Sequence, residues 1–127
     1  MANRETGIQN RILLALSEAG CTVWRNETAG AWVGQILHKT GSQVTLKNAR
    51  LLKLGLCKGS SDVIGIRPVL ITQEMVGKTI GQFIAPEIKT KDGKLSDDQV
   101  KFCRAVIKAG GRAGPATSPD EALKLIS

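Results

Sequence analysis

The sequence predicts a mixed α/β fold in a single domain spanning residues 1–127. Three observations lead to this prediction: helix-period apolar spacing near the start of the chain, short apolar segments separated by turns in the middle, and two helix-start signatures near the end. A chain of 127 residues has the size of one ordinary domain. The resulting order, a helix, several strands, then helix, strand and helix, is typical of α/β proteins.

An amphipathic helix is predicted over residues 4–19, where apolar side chains recur three and four positions apart, and Gly20 ends it. At about 100° per residue, Glu5 lies over the apolar face, whereas Glu18 points to the opposite side. We therefore expect Glu5 to face the interior or a cleft and Glu18 to face solvent. The apolar face comprises Ile8, Ile12, Ala15, Leu16 and Ala19.

Short runs of apolar residues bounded by turn residues predict the strands. Pro86 lies inside one of them, residues 82–90, and because proline cannot donate to a sheet ladder we expect a bulge or a local break in pairing there. Residues 48–56 fit either a strand or a helical turn. The other predicted strands are residues 21–24, a hairpin formed by 31–37 and 43–46, and residues 62–66, 69–72 and 112–117.

Two further helices are predicted from their capping residues. Ser96 followed by Gln99 forms a capping box, and Gly110-Gly111 ends that helix. The segment Ser118 to Glu121 repeats the start signal, with serine at the cap and proline at the first helical position. The face of the first of these helices that we expect to be buried comprises Val100, Cys103, Val106 and Ile107.

Basic residues outnumber acidic ones, 18 to 11, which gives a net charge of +7. A basic surface attracts polyanions, nucleic acid above all, although a solvated basic face without a partner gives the same composition. No apolar run reaches the roughly 18 residues of a membrane-spanning helix, and the first residues show no secretion signal. The three cysteines are far apart and His38 is the lone histidine, which excludes an ordinary Cys/His zinc site and indicates a reducing, cytoplasmic compartment.

Four residues combine carboxylate, lysine and amide chemistry. Glu87 and Lys89 are two apart on one predicted strand and so share a face. Asp62 heads another strand, and Gln99 lies in the first turn of a helix. If the two strands are antiparallel neighbours, Asp62 and Glu87 meet and offer hard oxygen ligands to Mg²⁺ or Mn²⁺. Lys89 would then direct its charge at a phosphate or at an attacking water.

These residues stand in a context that resembles the VRR-NUC family of the PD-(D/E)xK nuclease superfamily, in the stand-alone form found in phages and prophages. Ser61 precedes Asp62 where the superfamily name has proline, a position at which proline is often absent. The resemblance covers nearly the whole chain. It rests on Glu5-x-x-Ile-Gln9, Trp24-Arg-Asn26, Lys58-Gly-Ser-Ser-Asp-Val-Ile-Gly65, Ala85-Pro-Glu-Ile-Lys-Thr90, Gly93-Lys-Leu-Ser-Asp-Asp-Gln99 and Gly110-Gly-Arg-Ala113.

The resemblance implies a restriction-endonuclease-like core, a mixed central sheet flanked by helices, and a role for each residue of the pattern. Asp62 and Glu87 are implied as metal ligands, with the backbone carbonyl of Ile88 as a further ligand. Lys89 is implied as the catalytic lysine. Gln99 is implied as the supporting helix residue, and Glu5 as an acidic residue that closes the site.

The resemblance also implies a function, metal-dependent cleavage of DNA that is selective for branched duplexes such as four-way junctions. The implied enzyme is a homodimer and uses no organic cofactor. A dimer suits two symmetric cuts. Trp32 is expected in the core or in a subunit contact. The candidate DNA-contacting residues are Arg25, Asn26, Lys58, Ser60, Ser61, Lys91, Lys94 and Arg112.

Each signal also has a simpler interpretation. Glu87 and Lys89 alone could be an exposed pair on a strand, and Gln99 could serve only the capping box. Glu5 could be a first-turn acid favoured by the helix dipole. On these interpretations the chain is a non-catalytic nucleic-acid-binding protein that keeps the fold, or a small structural or assembly protein.

Overall fold

The computed structural model describes residues 2–127, with side chains from residue 5 onward. Helices and strands are mixed along this range, so the predicted α/β class is confirmed. The elements are α1 (Ala2–Glu18), β1 (Thr22–Arg25), β2 (Gly30–Thr40), β3 (Gln43–Lys53), β4 (Val63–Ile66), a 3-10 helix (Gln73–Met75), β5 (Ile84–Ile88), α2 (Asp97–Lys108), β6 (Arg112–Ala116) and α3 (Pro119–Leu125).

The described chain divides into two compact units. The first unit contains residues 2–23 and 65–127, and the second contains residues 24–64. The division falls inside β1 and inside β4, two short strands that pair with each other. The second unit is built mainly from the hairpin of β2 and β3, whereas β5, β6 and the last two helices belong to the first.

The strands of the described range form three two-stranded sheets, β1 with β4, β2 with β3, and β5 with β6. This differs from the single mixed sheet that was expected, and β4 pairs with β1 rather than with β5. Pro86 gives a physical reason on the β5 side. It has no N–H to donate, so the edge of β5 toward which its nitrogen points is a poor partner for another strand.

The pairing of β5 with β6 is parallel and regular, and it corrects the expected break at Pro86. The register runs without a shift from Ile84 opposite Arg112 to Ile88 opposite Ala116. Lys89 N donates to Ala116 O at 3.1 Å, so this N–H points toward β6. Because successive N–H groups along a strand alternate in direction, the nitrogen of Pro86 points away from β6 and removes no bond from this ladder.

The buried core of the first unit lies between α2 and the β5–β6 pair. Val106 is fully buried, and Cys103, Ala113 and Ala116 are nearly so, whereas Ile107, which was expected to be buried, is 55% exposed. Gly111 allows this packing, because a Cβ there would lie 2.7 Å from Val106 Cγ1. Both α2 and α3 contact β6, so this strand organises the C-terminal half of the chain.

The hairpin of β2 and β3 is longer than the sequence indicated. Its strands continue to Thr40 and Lys53 around a tight turn at Gly41-Ser42, and the ambiguous segment after Asn48 is strand up to Lys53. Two register irregularities interrupt the ladder, and Asn48 adopts a positive φ of 54° at one of them. These irregularities shift the alternation of apolar and polar residues, which is why the strand pattern could not be read through them.

Two other expectations differ from the structure. Residues 69–72 form no strand, and the 3-10 helix Gln73–Met75 follows them instead. α1 covers Ala2–Glu18 where residues 4–19 were predicted, and Gly20, with a φ of +93°, follows its end. The large residues of its predicted apolar face are exposed, 36% at Leu16, 44% at Ile8 and 47% at Ile12, so the prediction that this face is covered is wrong. No helix of the described range combines the length and the hydrophobicity that crossing a bilayer requires.

Candidate active site

Glu87, Lys89 and Gln99 come together in the first unit, as the sequence predicted. Gln99 Nε2 donates a hydrogen bond of 2.7 Å to Glu87 Oε1, and Lys89 Nζ lies 4.0 Å from the same oxygen. The side chains of Lys89 and Glu87 are 21% and 39% exposed. This set, the Glu87–Lys89–Gln99 cluster, is therefore half-buried yet open to a ligand.

The strand and the helix position the cluster through local structure. The side chains of Ala85, Glu87 and Lys89 are partly buried, whereas those of Ile84, Pro86 and Ile88 are exposed, so Glu87 in β5 and Lys89 just after it lie on the covered face. The capping box fixes Gln99 in the first turn of α2. Strand alternation and helix capping thus set the two sides of the cluster, and the contact between α2 and β5 brings them together.

Gln99 makes both of the interactions that the sequence allowed, the cap and the site contact. Its Oε1 accepts from the Ser96 backbone N–H at 2.9 Å, while its own backbone N–H donates to Ser96 Oγ at 3.2 Å. Its Nε2 is then left to donate to the carboxylate of Glu87. Because the amide oxygen faces an N–H and the amide nitrogen faces a carboxylate, only one orientation of this side chain satisfies both partners.

Glu87 keeps one oxygen for a ligand. Oε1 accepts from Gln99 and faces Lys89, whereas Oε2 hydrogen-bonds to no residue in the described part of the chain. A carboxylate oxygen in a half-buried site is a hard donor of the type that Mg²⁺ and Mn²⁺ prefer. The chemistry of the donor set therefore fits such an ion.

The carbonyl of Ile88 provides a second oxygen beside Glu87. In a trans peptide the carbonyl points opposite to the following N–H. Since Lys89 N–H points to Ala116 on β6, the Ile88 carbonyl points to the other edge of β5. No strand pairs with that edge in residues 2–127, so the carbonyl remains available as the ligand that was predicted.

Asp62 lies in the second unit, directly before β4, and its side chain is exposed. Its backbone oxygen accepts a hydrogen bond of 2.8 Å from Asn26 N. The condition under which Asp62 would meet Glu87, antiparallel pairing of their two strands, is not met in the described range, where β4 pairs with β1. That Asp62 shares an ion with Glu87 stays a prediction. Within residues 5–127, no three side chains of His, Cys, Asp or Glu are placed to hold one metal ion. A metal site in this range would therefore need backbone oxygens and water as additional ligands.

Asn26 is the buried polar residue of the second unit, 6% exposed, and it ties the loop before Asp62 together. Its Nδ2 donates to Ser60 Oγ at 2.7 Å and to Ser61 O at 2.8 Å. Its Oδ1 accepts from Leu56 N at 3.0 Å. The sequence suggested Asn26 as a DNA contact and gave no sign of this positioning role, because its partners lie 30 to 35 residues away.

The other predicted DNA-contacting residues are divided between the two units, and the three in the first unit do not form one group. Lys91 and Lys94 lie in the turn after β5, a few residues from Lys89. Arg112 lies at the opposite end of the pair, across from Ile84, about 13 Å along the strand from Ile88. Arg25, Lys58 and Ser61 are exposed in the second unit, while the Ser60 hydroxyl accepts from Asn26.

Glu5 is exposed in the first turn of α1 and so does not face the interior, one of the two placements expected, while the role in closing the site that the resemblance implies stays a prediction. The reason is that the apolar face on which it lies is itself exposed. A first-turn acid at a helix N-terminus is stabilised by the helix dipole, which explains its presence without a role in the site. Trp32, expected in the core or in a subunit contact, is 66% exposed.

Comparison with known proteins adds no identification. No protein-family model, curated protein or solved structure matches the chain. The resemblance to VRR-NUC nucleases therefore rests on the sequence motifs alone. The geometry of the Glu87–Lys89–Gln99 cluster is the structural observation that bears on function.

Proposed function

We propose that the protein is a divalent-metal-dependent DNA endonuclease. The observation that supports this most directly is the Glu87–Lys89–Gln99 cluster, a carboxylate and a lysine on one face of a strand with a helix amide bonded to the carboxylate. An ordinary exposed ion pair on a strand does not require a hydrogen bond from a side-chain amide such as that of Gln99. The net charge of +7 suits a polyanionic substrate.

Each residue has a distinct task in this proposal. Glu87 Oε2 and the Ile88 carbonyl would hold Mg²⁺ or Mn²⁺, with Asp62 as the second carboxylate on the strength of the sequence resemblance. When bound, such an ion lowers the pKa of a coordinated water and stabilises charge on the scissile phosphate. Gln99 orients Glu87 through the bond to Oε1 and thereby directs Oε2 to the ligand.

Lys89 supplies the positive charge that phosphodiester hydrolysis requires. The oxygen of a water attacks phosphorus, the bond to the leaving sugar oxygen breaks, and that oxygen takes up a proton. Negative charge develops on the non-bridging oxygens, where a lysine ammonium stabilises it best in a partly water-excluded site. Lys89 meets this condition, being four-fifths covered and on the same face as the carboxylate.

The proposed substrate is branched duplex DNA, with four-way junctions foremost, and the proposed active form is a homodimer. Both follow from the resemblance to stand-alone VRR-NUC nucleases. Two identical sites related by two-fold symmetry would make two symmetric cuts in opposed strands. A second candidate is a nucleic-acid-binding protein without catalysis, which the positive charge supports equally well.

Cleavage of labelled linear, flap and four-way-junction DNA in Mg²⁺, Mn²⁺ or EDTA tests the proposal. We expect metal-dependent paired nicks at the junction, and Lys89→Ala should reduce them by at least about a hundredfold, as loss of a transition-state contact does. Lys78→Ala, which removes an exposed lysine of the same unit, is the matched control and should cut normally. Unchanged cleavage by Lys89→Ala and Glu87→Gln would refute the assignment. Tight binding without cutting in any metal would favour the binding protein.

A further inference from the structure

We propose that the hairpin of β2 and β3 is a DNA-binding ribbon, and that one of its two faces makes the contacts. This face, called here the polar face, carries Gln35, Lys47 and Arg50, none of which the sequence pattern singled out. The inference rests on the proposed function only in taking DNA as the partner, because it requires binding and not cleavage.

The charge of the chain is concentrated in this part of the molecule. Residues 28–61 contain five basic residues and no acidic one, so they account for +5 of the net charge of +7. The remaining residues are close to neutral. The five basic residues, all exposed, are Lys39, Lys47, Arg50, Lys53 and Lys58.

The register of the hairpin separates two faces of different chemistry. Side chains directly opposite each other point to the same side of an antiparallel pair. Val33 opposes Arg50 and Gln35 opposes Lys47 on the polar face. Toward the turn, the same face continues with His38 opposite Thr45 and Thr40 opposite Gln43.

The other face of the hairpin is apolar. Trp32 opposes Leu51 and Ile36 opposes Leu46. Trp32, Ile36 and Leu46 border a surface depression. Lys39 and Lys53 also lie on this face, opposite Val44 and Gly30 at its two ends. The two pairs of cations, Lys47 with Arg50 and Lys39 with Lys53, are therefore on opposite sides of one ribbon.

The polar face fits DNA in chemistry and in shape. From Arg50 to Gln43 its paired side chains, apart from Val33, can all donate or accept hydrogen bonds, and no carboxylate repels a phosphate. A two-stranded antiparallel ribbon is narrow enough for the major groove, which is about 12 Å wide. Eleven residues per strand give a ribbon about 36 Å long, close to one turn of duplex.

The two cation pairs give a matched test. Binding of fluorescent linear duplex and four-way-junction DNA is measured by anisotropy in EDTA, over a salt series, for K47Q/R50Q and for K39Q/K53Q. Both variants lose two positive charges from the same hairpin. We expect K47Q/R50Q to bind about tenfold more weakly near 0.15 M salt and to reduce the slope of log affinity against log salt by about 1.8. K39Q/K53Q should change the slope by less than half of that.

Three further measurements make the outcome decisive. Thermal unfolding checks that both variants fold, and the charge-preserving K47R/R50K variant should restore affinity. Equal losses in the two variants, or no loss in K47Q/R50Q, would overturn the inference. The inference would also be overturned if K47Q/R50Q changed the sedimentation of the protein but not its DNA affinity. That result would mean that the polar face contacts another protein molecule and not DNA. Because the binding assay contains EDTA, it measures DNA binding without cleavage. If Glu87→Gln still cleaves DNA in the separate cleavage assay, the nuclease proposal fails, but the binding result for the hairpin stands.

Discussion

At the scale of single residues, Gln99 shows how one side chain can serve a fold and a site at once. Its oxygen closes the cap of α2 and its nitrogen holds Glu87. The two tasks use different atoms, so substitutions can separate them. Glutamate is the other residue that a capping box accepts, but it cannot donate to a carboxylate.

Gln99→Glu should therefore keep the helix and impair the site. We expect the thermal midpoint to change little and cleavage to fall, because a glutamate has no N–H with which to hold the carboxylate of Glu87. Ser96→Ala should do the reverse, with about 1 kcal/mol lost from the free energy of unfolding and the Gln99–Glu87 contact retained. Unfolding curves and the cleavage assay distinguish the two. A Gln99→Glu protein that cuts at the normal rate would contradict the role given to Gln99.

Asn26 is the second residue whose contacts lead to a prediction. Asn26→Ala removes the hydrogen bonds of this buried side chain to the Leu56 N–H and the Ser61 carbonyl, both at partly buried sites, which should lower the free energy of unfolding by about 1–3 kcal/mol. Ser60→Ala removes a single bond from the same network and should have a smaller effect. Hydrogen exchange at the Leu56 amide localises the change, and an unaltered exchange rate in Asn26→Ala would contradict it.

At the scale of elements, α3 is held at its start by Thr117 and Glu121. Thr117 Oγ1 donates to Glu121 Oε1 at 2.6 Å and Thr117 N donates to Oε2 at 3.2 Å. The bond from the Thr117 side chain, followed by the backbone bond, lowers the pKa of Glu121 below its ordinary 4.5. A lowered pKa means that the ionised form is the one stabilised in the folded state.

This element should respond to acid with a defined sign. The contribution of Glu121 is present above pH 4.5 and is lost as the pH falls through its lowered pKa. Thr117→Val removes the side-chain donor and should move the pKa of Glu121 back toward 4.5, as followed by carboxyl NMR. Thr90→Val, a threonine after β5, is the control and should leave this titration unchanged. A pKa that stays low in Thr117→Val would show that the side-chain bond is not its cause.

Elements defined by local signals could be predicted from the sequence, and those defined by their surroundings could not. The capping box of α2 and the serine cap of α3 fixed the starts of these helices, because cap and partner are three residues apart in each. The predicted break in strand pairing at Pro86 was wrong because a proline interrupts pairing only at the edge of the strand that its nitrogen faces. The residues around Pro86 do not indicate which edge of β5 that is. The hairpin length was underestimated because the irregularities near Asn48 and Leu37 change which residues share a face.

At the scale of the whole molecule, the same contrast applies to the candidate site. The Glu87–Lys89–Gln99 cluster was predicted because a strand period and a helix cap bring it together. Asp62 belongs to a separate unit, and its strand pairs with β1 and not with β5. The sequence left this pairing open, because the partner of a strand depends on distant segments of the chain. The prediction that the apolar face of α1 is buried was wrong for a similar reason. An apolar stripe predicts that a helix face is covered, but it does not show which segment covers it.

Metal binding should be visible in the stability of the whole chain. A ligand that binds only the folded state raises the free energy of unfolding, by about 2.7 kcal/mol at one hundred times its Kd. We expect Mn²⁺ to raise the thermal midpoint, EDTA to reverse the shift, and Glu87→Gln to abolish it. Glu74→Gln, an exposed glutamate of the same unit, should retain the shift. A shift of the same size in Glu87→Gln would place the ion elsewhere.

The proline in β5 also limits how copies of this protein can associate. An unpaired strand edge usually invites the matching edge of another molecule, and a continuous ladder of backbone bonds can then grow from copy to copy. Here the donor that would lie at the middle of that ladder is missing, because Pro86 has no N–H. Side-by-side joining of two molecules along β5 is disfavoured, which protects against fibrous assembly. A dimer of the proposed kind would therefore have to form through some other surface, and a second copy of β5 would not cover the Ile88 carbonyl.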